Sequence, residues 1–569
     1  MIESRTTETP EVHPVVAKIL ERRKILPQDW HDYFSWDLKS LPDMTDLIDL
    51  DKASRRIILA IDAGEKIGIY GDYDVDGTTS CALFGHFFRM LGVEVELFQP
   101  SRFVEGYGVH PESIEAAINK GVKVLITVDC GISNVETAEY AKERDIDLII
   151  TDHHKDAAPH LPNAYAVVNP NRRDEPEGNP LTVLAGVTVA FCVCLKVKMI
   201  LEKEFDRSMP SLYPLLQFVG IGTICDLAKL TPVNLKLTRH GLKQIPDSQY
   251  PGILSFFTND ELSRGSVPSE SISFGVGPII NSKGRLDHPE RALKLLMAKN
   301  SQEALGEILH LKEINLERKR IQNEVFHLAK KEAIKQVAKK TKILLTYSPE
   351  FHEGVIGIVA SKLVETFKLP AIVLTDSEVK GIIKGSARTA GNLNLFELLN
   401  NNRDLFIKFG GHKAAAGLSM PKEKLHKLRD QLNKELSDIP EIVRTTQDSF
   451  DCEISFCDIT PDLIAELDKM EPFGMGNAKP LFRMRDAKLV NFQILKDTHV
   501  KWTFQSADQR SIQKLSGISF FYLDGHDFQR PSEIFQNQQF GIDVYFELGI
   551  NYFRGNKTIQ LMVKRIKTL

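Results

Sequence analysis

The chain has 569 residues, which is too many for a single hydrophobic core, so three or four domains are expected. Its hydrophobic content of 42% and charged content of 26% are ordinary for a globular protein. The sequence contains no uninterrupted apolar run of about 18 residues, so no membrane span is predicted. The net charge of −4 neither predicts nor excludes nucleic-acid binding, because a local basic groove can act against an acidic total.

The N-terminal residues and the cysteines indicate a cytoplasmic protein. The first residues are polar and show no secretory hydrophobic region. The seven cysteines form no CxxC metal pairs, and an odd number favours reduced thiols. Cys192 and Cys194 lie in an apolar helical pattern, so we interpret them as core residues rather than metal ligands.

The pattern of predicted elements divides the chain into five parts. A short N-terminal segment, residues 1–50, precedes alternating strands and helices over residues 51–300, which predict a parallel, doubly wound sheet. Residues 301–340 contain no proline and predict one long connecting helix, with two shorter helices as the alternative. A second α/β lobe is predicted over residues 341–440. Short strands over residues 445–569 predict a small β-barrel.

Three carboxylates follow the first predicted strand of the parallel sheet at alternate positions, namely Asp72, Asp74 and Asp76. Packing does not explain three neighbouring anions, which repel one another unless a cation lies among them. A solvated turn is the alternative interpretation. We therefore predict a cation site at the end of this strand.

Two later predicted strands also end in candidate ligands. One is followed by Asp129, and the next by Asp152, His153 and His154. Because the carboxyl ends of parallel strands meet at one edge of a sheet, we expect these side chains to lie near the three aspartates. The adjacent histidines have an alternative interpretation as capped surface groups.

A lone aspartate in an apolar run, Asp226, is a further candidate, with an N-cap role as its alternative. Two cations about 4 Å apart, sharing one carboxylate, would need about five to seven ligands. Carboxylate and imidazole ligands suit Mg²⁺ or Mn²⁺, and histidine favours Mn²⁺. The predicted ligands of this two-ion site are Asp72, Asp74, Asp76, Asp129, His153 and Asp226.

Four further segments offer cationic groups or glycine amides to a phosphate. Each alone could equally be a turn with a surface charge, but their number beside an acidic cluster favours phosphate binding. The candidates are Arg102 after a strand, Asn281 and Arg285 in one segment, Ser386 and Arg388 in another, and the turn Gly410, Gly411 and His412.

These motifs together resemble the DHH phosphoesterase superfamily. The acidic run after the first strand, the segment 101–108, and the Asp129 and Asp152-His153-His154 motifs carry the resemblance. The segment 410–417 resembles the associated second domain, of the DHHA1 type, and the segment 471–480 resembles the bacterial RecJ-type exonucleases. The resemblance covers about residues 50–569. It implies a DHH-type lobe, a DHHA1-type lobe and an OB-like barrel that binds single strands.

The resemblance also implies an activity and roles for the candidate residues. The expected enzyme is a single-strand-specific 5′-to-3′ DNA exonuclease in recombination and repair, which releases mononucleotides by hydrolysis with two Mn²⁺ or Mg²⁺ ions. One ion would be held by Asp72, Asp74 and Asp129, and the other by Asp76, Asp129, His153 and Asp226, with support from Asp152 and His154. Arg102, Asn281 and Arg285 would line the path of the scissile phosphate, Arg102 as a catalytic group, and Ser386, Arg388, Gly410, Gly411 and His412 would receive the 5′ end.

Some relatives have histidine where this chain has Tyr70, which would leave the first ion one ligand short without implying inactivity. The family also implies a single-strand-binding protein and a RecQ-type helicase as partners, with the chain itself a monomer. The barrel phenylalanines are expected in the core, with base stacking as the alternative; they are Phe450, Phe456, Phe473 and Phe482.

Three other functions compete with the exonuclease. They are a small-substrate phosphodiesterase of the same superfamily, an inorganic pyrophosphatase and a metal-free DNA-binding scaffold. The chain length and the added barrel disfavour the first two. The full set of aspartates disfavours the third.

Overall fold

The computed structural model describes residues 12–100, 108–286, 290–444, 449–506, 514–524, 529–538, 541–553 and 556–568. The described chain forms two compact units. The first contains Pro27–Leu316 and Asp468–Lys479. The second contains Glu317–Leu467, the residues from Pro480 onward and the first described helix.

The first unit is built on a five-stranded sheet. Its strands are β1 (Lys66–Gly71), β2 (Val95–Phe98), β3 (Val122–Val128), β4 (Asp147–Thr151) and β5 (Ala166–Val168). They lie in the order β2-β1-β3-β4-β5, and every neighbouring pair is parallel. All five carboxyl ends therefore meet at one edge, as the alternating pattern predicts.

Helices cover both faces of this sheet. Alternate strand residues enter two cores: Ile67 and Ile69 pack on one side, whereas Tyr70 packs on the other. Helix α8 (Leu216–Cys225) is apolar on all sides, which fits its enclosure by the other elements. The helices are α2 (Trp30–Phe34), α3 (Leu50–Ala63), α4 (Val75–Met90), α5 (Pro111–Asn119), α6 (Val135–Glu143), α7 (Gly186–Glu204), α8 (Leu216–Cys225), α9 (Pro232–Gln244), α10 (Pro251–Leu254), α11 (Asn259–Leu262), α12 (Ser269–Ser271), α13 (Gly277–Leu286) and α14 (Glu290–Leu296), following α1 (Pro14–Arg22) of the second unit.

The predicted connecting helix is confirmed as one continuous element, α15 (Ser301–Ala338). It begins in the first unit and ends in the second. The alternative of two shorter helices is wrong, because no residue in the stretch interrupts the helix.

The second α/β lobe has a mixed sheet in the order β6-β7-β8-β10-β9. Only β6 and β7 are parallel; the other neighbours are antiparallel. Its elements are β6 (Leu344–Tyr347), α16 (Glu353–Phe367), β7 (Ala371–Asp376), β8 (Ile382–Arg388), α17 (Leu395–Asn400), β9 (Lys408–Gly411), β10 (Ala415–Pro421), α18 (Leu425–Ser437) and α19 (Glu441–Arg444).

The C-terminal strands form the predicted barrel, which closes where β12 (Phe482–Leu495) pairs with both β13 (His499–Ser506) and β15 (Ile542–Phe553). The pattern predicts two short strands at 480–482 and 487–494, but the structure has one strand, β12, which begins at Phe482 and continues through the second. A bulge between Met484 and Ala487, with Asp486 at φ +52°, breaks the alternation without ending the strand. The elements are β11 (Cys452–Glu453), α20 (Pro461–Asp468), β12 (Phe482–Leu495), β13 (His499–Ser506), β14 (Lys514–Ser519), α21 (Pro531–Gln536), β15 (Ile542–Phe553) and β16 (Asn556–Thr568).

The phenylalanines considered for base stacking are mostly core residues. Phe456, Phe473 and Phe482 are buried. Phe450 is half-buried, and the guanidinium groups of Arg22 and Arg483 lie 4.9 and 5.5 Å from its ring centroid. The stacking alternative is therefore wrong for the three buried rings.

None of the described helices has the length and apolar character needed to cross a membrane.

Candidate metal centre

The three aspartates after β1 lie where the strand passes into helix α4. Asp74 is the N-cap of this helix, and its side chain accepts a hydrogen bond from the Gly77 amide at 3.1 Å. Asp76 lies in the first helical turn, where its carboxylate accepts bonds from the Gly186 and Val187 amides at 2.6 and 2.9 Å. The N-terminus of α7 therefore fixes Asp76, while Asp72 remains at the strand end.

Asp129 occupies a strained position immediately after β3. Its φ of +59° is left-handed, and its amide donates to the Thr151 carbonyl at 3.0 Å. A Cβ placed on Gly186 would lie 2.7 Å from Asp129 Cβ, so α7 can approach the carboxylate only with glycine at that position. Sequence reasoning missed Gly186, whose signal was a glycine opening an apolar helix.

The residues after β4 form a small hydrogen-bonded network. One carboxylate oxygen of Asp152 accepts bonds from the His153 and His154 amides and lies 2.8 Å from His154 Nδ1. The other oxygen accepts a bond from the Ile132 amide at 2.9 Å. Asp152 is fully buried. It therefore orients the His154 ring and fixes the backbone of both histidines. Each ring has a nitrogen near Asp129 Oδ1, at 3.1 Å for His153 and 3.9 Å for His154, so the alternative of capped surface groups is wrong.

Asp226 follows the last turn of α8 as its C-cap, so the alternative of an N-cap is wrong. Its carboxylate lies 3.9 Å from His153 Nδ1, and His153 Nε2 lies 3.1 Å from Asp129 Oδ1. An all-helical stretch thus brings Asp226 to residues that follow the sheet strands.

Ligand atoms of the predicted metal residues lie close together in three overlapping groups. Within each group, one oxygen or nitrogen per residue lies within 4.8 Å of the others. The groups share Asp129 or His153, as two neighbouring ions with common ligands would require. They are Asp72, Asp74 and Asp129; Asp76, His153 and Asp226; and Asp129, His153 and His154.

The electrostatics of the cluster favour a bound cation. Burial and the charge of Asp74 raise the pKa of Asp76 to about 7, although the α7 amides oppose the shift. Burial and the neighbouring carboxylates also raise the pKa of Asp226 to about 9, and that of Asp129 well above its usual range. A divalent ion bound among these groups would remove the repulsion between the carboxylates. The carboxylate and imidazole donors of the cluster fit Mn²⁺ or Mg²⁺.

The two histidines differ in charge. Burial and the charge of His154 lower the pKa of His153 to about 4, so His153 is neutral and able to donate a ring nitrogen to a metal. Burial opposes a charge on His154, but its hydrogen bond to Asp152 and the nearby carboxylates raise its pKa to about 9.

The structure tests the other candidates of the first lobe only in part. Arg102 lies outside the described residues. Asn281 and Arg285 both lie on α13, where Asn281 is half-buried and the side chain of Arg285 is not described.

The anion-binding candidates of the second lobe meet on one sheet face. Strand register places Ser386 opposite Gly417, and Gly417 opposite Gly410, in one row across β8, β10 and β9. A Cβ on Gly417 or Gly410 would meet no atom within 4 Å, so the face is open there. Arg388 lies on the same strand as Ser386 and donates to its hydroxyl at 2.9 Å.

The adjoining turn fixes the edge of this face. Gly411 has φ +149°, and a Cβ there would lie 2.3 Å from the Ala415 carbonyl oxygen, so glycine is required. His412 is exposed, and its amide donates to the same carbonyl at 2.8 Å. The predicted Ser386, Arg388, Gly410, Gly411 and His412 are therefore brought together. Gly417, which joins them, was missed because only strand pairing reveals it.

Comparison with known proteins matches three stretches of the chain to described domains. Residues 66–222 match the DHH family, N-terminal domain; residues 340–438 match the DHHA1 domain; and residues 450–565 match the RecJ OB domain.

Two relatives are similar over nearly the whole chain, and both are named single-stranded-DNA-specific exonuclease RecJ. The Bacillus subtilis protein is 33% identical, with 98% of this chain and 68% of that protein covered. The Escherichia coli protein is 30% identical, with 93% and 92% covered.

Two solved structures share the fold. RecJ from Thermus thermophilus in complex with Mn²⁺ superposes with a TM-score of 0.76 at 23% identity, covering 98% of this chain and 78% of that one. An exonuclease RecJ bound to manganese superposes with a TM-score of 0.59 at 28% identity, covering 71% of this chain and 98% of that one. Sequence identity, domain order and fold agree, and this chain belongs to the RecJ family of single-stranded-DNA-specific exonucleases.

Proposed function

We propose that this chain hydrolyses single-stranded DNA from its 5′ end and releases mononucleotides, in DNA recombination and repair. The observation that carries the proposal is the set of three overlapping ligand groups at the carboxyl edge of the parallel sheet. That arrangement suits the displacement of a phosphodiester oxygen by water, and membership of the RecJ family supplies the substrate class.

The proposed ligands divide into two sets, with Asp129 shared. Asp72 and Asp74 would complete one site, and Asp76, His153 and Asp226 the other. When bound, two Mn²⁺ or Mg²⁺ ions supply activation of water and stabilisation of the attacking and leaving oxygens.

The protein's own contribution is to hold these ligands before the substrate arrives. The α7 amides fix Asp76, and the left-handed backbone at Asp129 directs its carboxylate into the cluster. The buried Asp152 carboxylate accepts a hydrogen bond from His154 Nδ1 and so fixes the orientation of that imidazole beside the ligands. Arg102, Asn281 and Arg285 are proposed to line the path of the scissile phosphate.

The open face of the second lobe is the proposed receptor for the 5′ end. Ser386 and Arg388 offer a hydroxyl and a guanidinium to a terminal phosphate. The exposed backbone at Gly410 and Gly411 permits close approach, and His412 adjoins it. Recognition of the end, rather than of the chain interior, would make the enzyme an exonuclease.

We further propose that the predicted domain boundaries are functional divisions, with catalysis in residues 51–300 and single-strand binding in residues 445–569. A single-strand-binding protein and a RecQ-type helicase are the proposed partners of a monomeric enzyme. A cytoplasmic location is supported by the seven cysteines, all of which are free thiols.

The test is digestion of an oligonucleotide labelled at either end, with Mn²⁺ or Mg²⁺, by wild type and Asp74→Ala. Release of mononucleotides from the 5′ end, absent in the variant and on blunt duplex, is expected. Cleavage confined to very short oligomers would instead indicate a small-substrate phosphodiesterase. Tight strand binding without cleavage would indicate a scaffold and refute the metal assignment.

A further inference from the structure

A segment from the C-terminal part of the sequence packs on the first unit. Asp468–Lys479 belongs to that unit although it directly precedes the barrel strand β12, and we call it the docking segment. It contains a tight turn in which Gly474 and Asn477 exchange backbone hydrogen bonds of 2.9 and 3.2 Å. The metal chemistry proposed above assigns this motif no role.

The turn of the docking segment contacts the chain just after Asp226. The Leu230 amide donates to the Met475 carbonyl at 2.8 Å. A Cβ on Gly474 would lie 2.9 Å from Leu230 Cδ1, and one on Gly476 would lie 2.7 Å from Lys229 Cγ. The side chains of Lys229 and Leu230 therefore fill the space that a side chain on either glycine would need.

The stretch from Asp226 to Leu230 is consequently held from two sides. On one side the end of α8 restrains it, because the Asp226 amide donates to the Gly222 carbonyl at 2.8 Å and the Ala228 amide to the Thr223 carbonyl at 3.2 Å. On the other side the docking segment restrains Leu230. The residue after Asp226, Leu227, has a left-handed φ of +61°. Such a conformation persists where its surroundings enforce it.

Asn477 fixes the docking segment through its side chain. Its amide oxygen accepts a hydrogen bond from the Tyr33 hydroxyl at 2.8 Å, and its amide nitrogen donates to the carbonyls of Met470 and Pro472, both at 2.8 Å. Asn477 is 2% exposed, so these bonds form away from water and fix one conformation of the turn.

Two further buried groups anchor the start of the segment. Arg239 of α9 is 3% exposed and donates to the Glu471 carbonyl at 2.7 Å. The Glu471 carboxylate accepts bonds from the Ser269 hydroxyl at 2.9 Å and the Phe473 amide at 3.1 Å. The segment is therefore attached to α9 and α12 as well as to the Asp226–Leu230 stretch.

We propose that the docking segment positions Asp226 for metal binding, with Asn477 as its principal positioning residue. The inference rests on the proposed role of Asp226 as a ligand. Its carboxylate faces Asp76 and His153, and like charge pushes it away from Asp76 until a cation arrives. Asp226 follows a helix rather than a sheet strand, so its position depends on how firmly the backbone on either side of it is held.

The test is a calorimetric titration of the full-length, metal-free protein with Mn²⁺, comparing wild type and Asn477→Ala. We expect one of two binding events to weaken at least fivefold and the other to stay unchanged. With single-stranded DNA, kcat should fall at limiting Mn²⁺ and recover at higher Mn²⁺, while KM for DNA changes less than twofold.

Asn433→Ala is the matched control. Asn433 also makes three side-chain hydrogen bonds, accepting from the Thr341 hydroxyl at 3.0 Å and the Lys342 amide at 2.7 Å, and donating to the Arg429 carbonyl at 2.9 Å. It lies in the second unit. Its loss should lower stability without changing Mn²⁺ affinity.

Asp226→Asn separates this inference from the proposed function. If Asp226→Asn leaves Mn²⁺ binding unchanged, the ligand assignment is wrong. If Asp226→Asn weakens one site but Asn477→Ala leaves both intact, the docking segment is only a tether and the inference is overturned. Should Asn477→Ala not fold, Tyr33→Phe removes one hydroxyl from the same network, and an unchanged Mn²⁺ affinity would again overturn the inference.

Discussion

The two α/β lobes present charge in opposite ways. In the first lobe, Asp72, Asp76 and Asp129 are at most 3% exposed and face other carboxylates. In the second lobe, Ser386 and Arg388 lie half-buried on an open sheet face. Buried like charges are stable only with a resident counter-ion, whereas an open cationic face receives an anion from solvent. The first lobe is therefore suited to hold metal ions permanently, and the second to bind a substrate end transiently.

The largest expected effect comes from removing the ligand that the two metal sites share. Asp129→Asn keeps the volume of the side chain but removes its charge, so both sites lose a ligand. We expect exonuclease activity with saturating Mn²⁺ to fall by at least about 10³-fold, since loss of one stabilising group alone costs up to that amount. Hydrolysis of 5′-labelled single-stranded DNA measures it.

Glu136→Gln is the control for this charge change, because Glu136 is exposed on α6 of the same lobe. It should retain wild-type activity. If Asp129→Asn were as active as Glu136→Gln, Asp129 would not be a ligand shared by two ions. The first lobe would then not differ from the second by holding a resident metal.

Metal removal should affect the stability of the first lobe. Saturation of a site at 100 times Kd stabilises a folded protein by about 2.7 kcal/mol, so Mn²⁺ should raise the Tm of wild type. Without metal, Asp129→Asn should melt above wild type, because it removes a carboxylate whose pKa is raised by burial and by its acidic neighbours. Scanning calorimetry with EDTA or Mn²⁺ measures both. A lower Tm of metal-free Asp129→Asn would show that repulsion does not dominate the cluster.

A smaller effect is expected in the second lobe. Arg388→Ala removes a charged donor from the proposed 5′-end site, and such bonds contribute about 1.5–3 kcal/mol. We expect KM for 5′-phosphorylated single strands to rise about tenfold or more with kcat little changed, and the preference over 5′-hydroxyl strands to disappear. Steady-state kinetics on both substrates decide the question.

Lys427→Ala is the control for Arg388→Ala, because Lys427 is an exposed cation on α18 of the same lobe. A similar rise in KM for both variants would point to general electrostatic attraction. In that case the open face would not be a specific receptor.

The metal ligands could be anticipated from the sequence because most of them immediately follow apolar strands. Once β1, β3 and β4 are parallel neighbours, their following residues must converge. Asp226 is harder to anticipate, because nothing local in a buried helix indicates which residues its C-terminus will contact in the fold. Gly186 was missed for the same reason, as its contact with Asp129 spans 57 positions of sequence.

The second lobe shows a different limit of prediction. Its motifs identify Ser386 and Gly410, but their alignment depends on β10 lying between β8 and β9, which is not their order in the sequence. The docking segment is a further case. The sequence indicates a motif at 471–480, yet only the fold reveals that it packs against Lys229 and Leu230, just after Asp226, and belongs to the first unit rather than to the barrel.

A further expected effect, on stability alone, concerns a buried group of the first lobe that needs no counter-ion. His86 on α4 is 6% exposed, its Nε2–H donates to the Leu296 carbonyl at 2.9 Å, and burial lowers its pKa to about 4. In the unfolded chain its pKa is near 6.5, so the unfolded state alone gains a proton between those values, and stability falls as pH falls. From pH 7.5 to 5 the loss is about 2 kcal/mol, and His86→Gln should abolish that part of the decline in Tm. The difference between wild type and variant should be the same with EDTA and with Mn²⁺, because His86 is satisfied by a neutral carbonyl. A difference in Tm that disappears with Mn²⁺ would show that His86 is coupled to the metal cluster, and would contradict the claim that it needs no counter-ion.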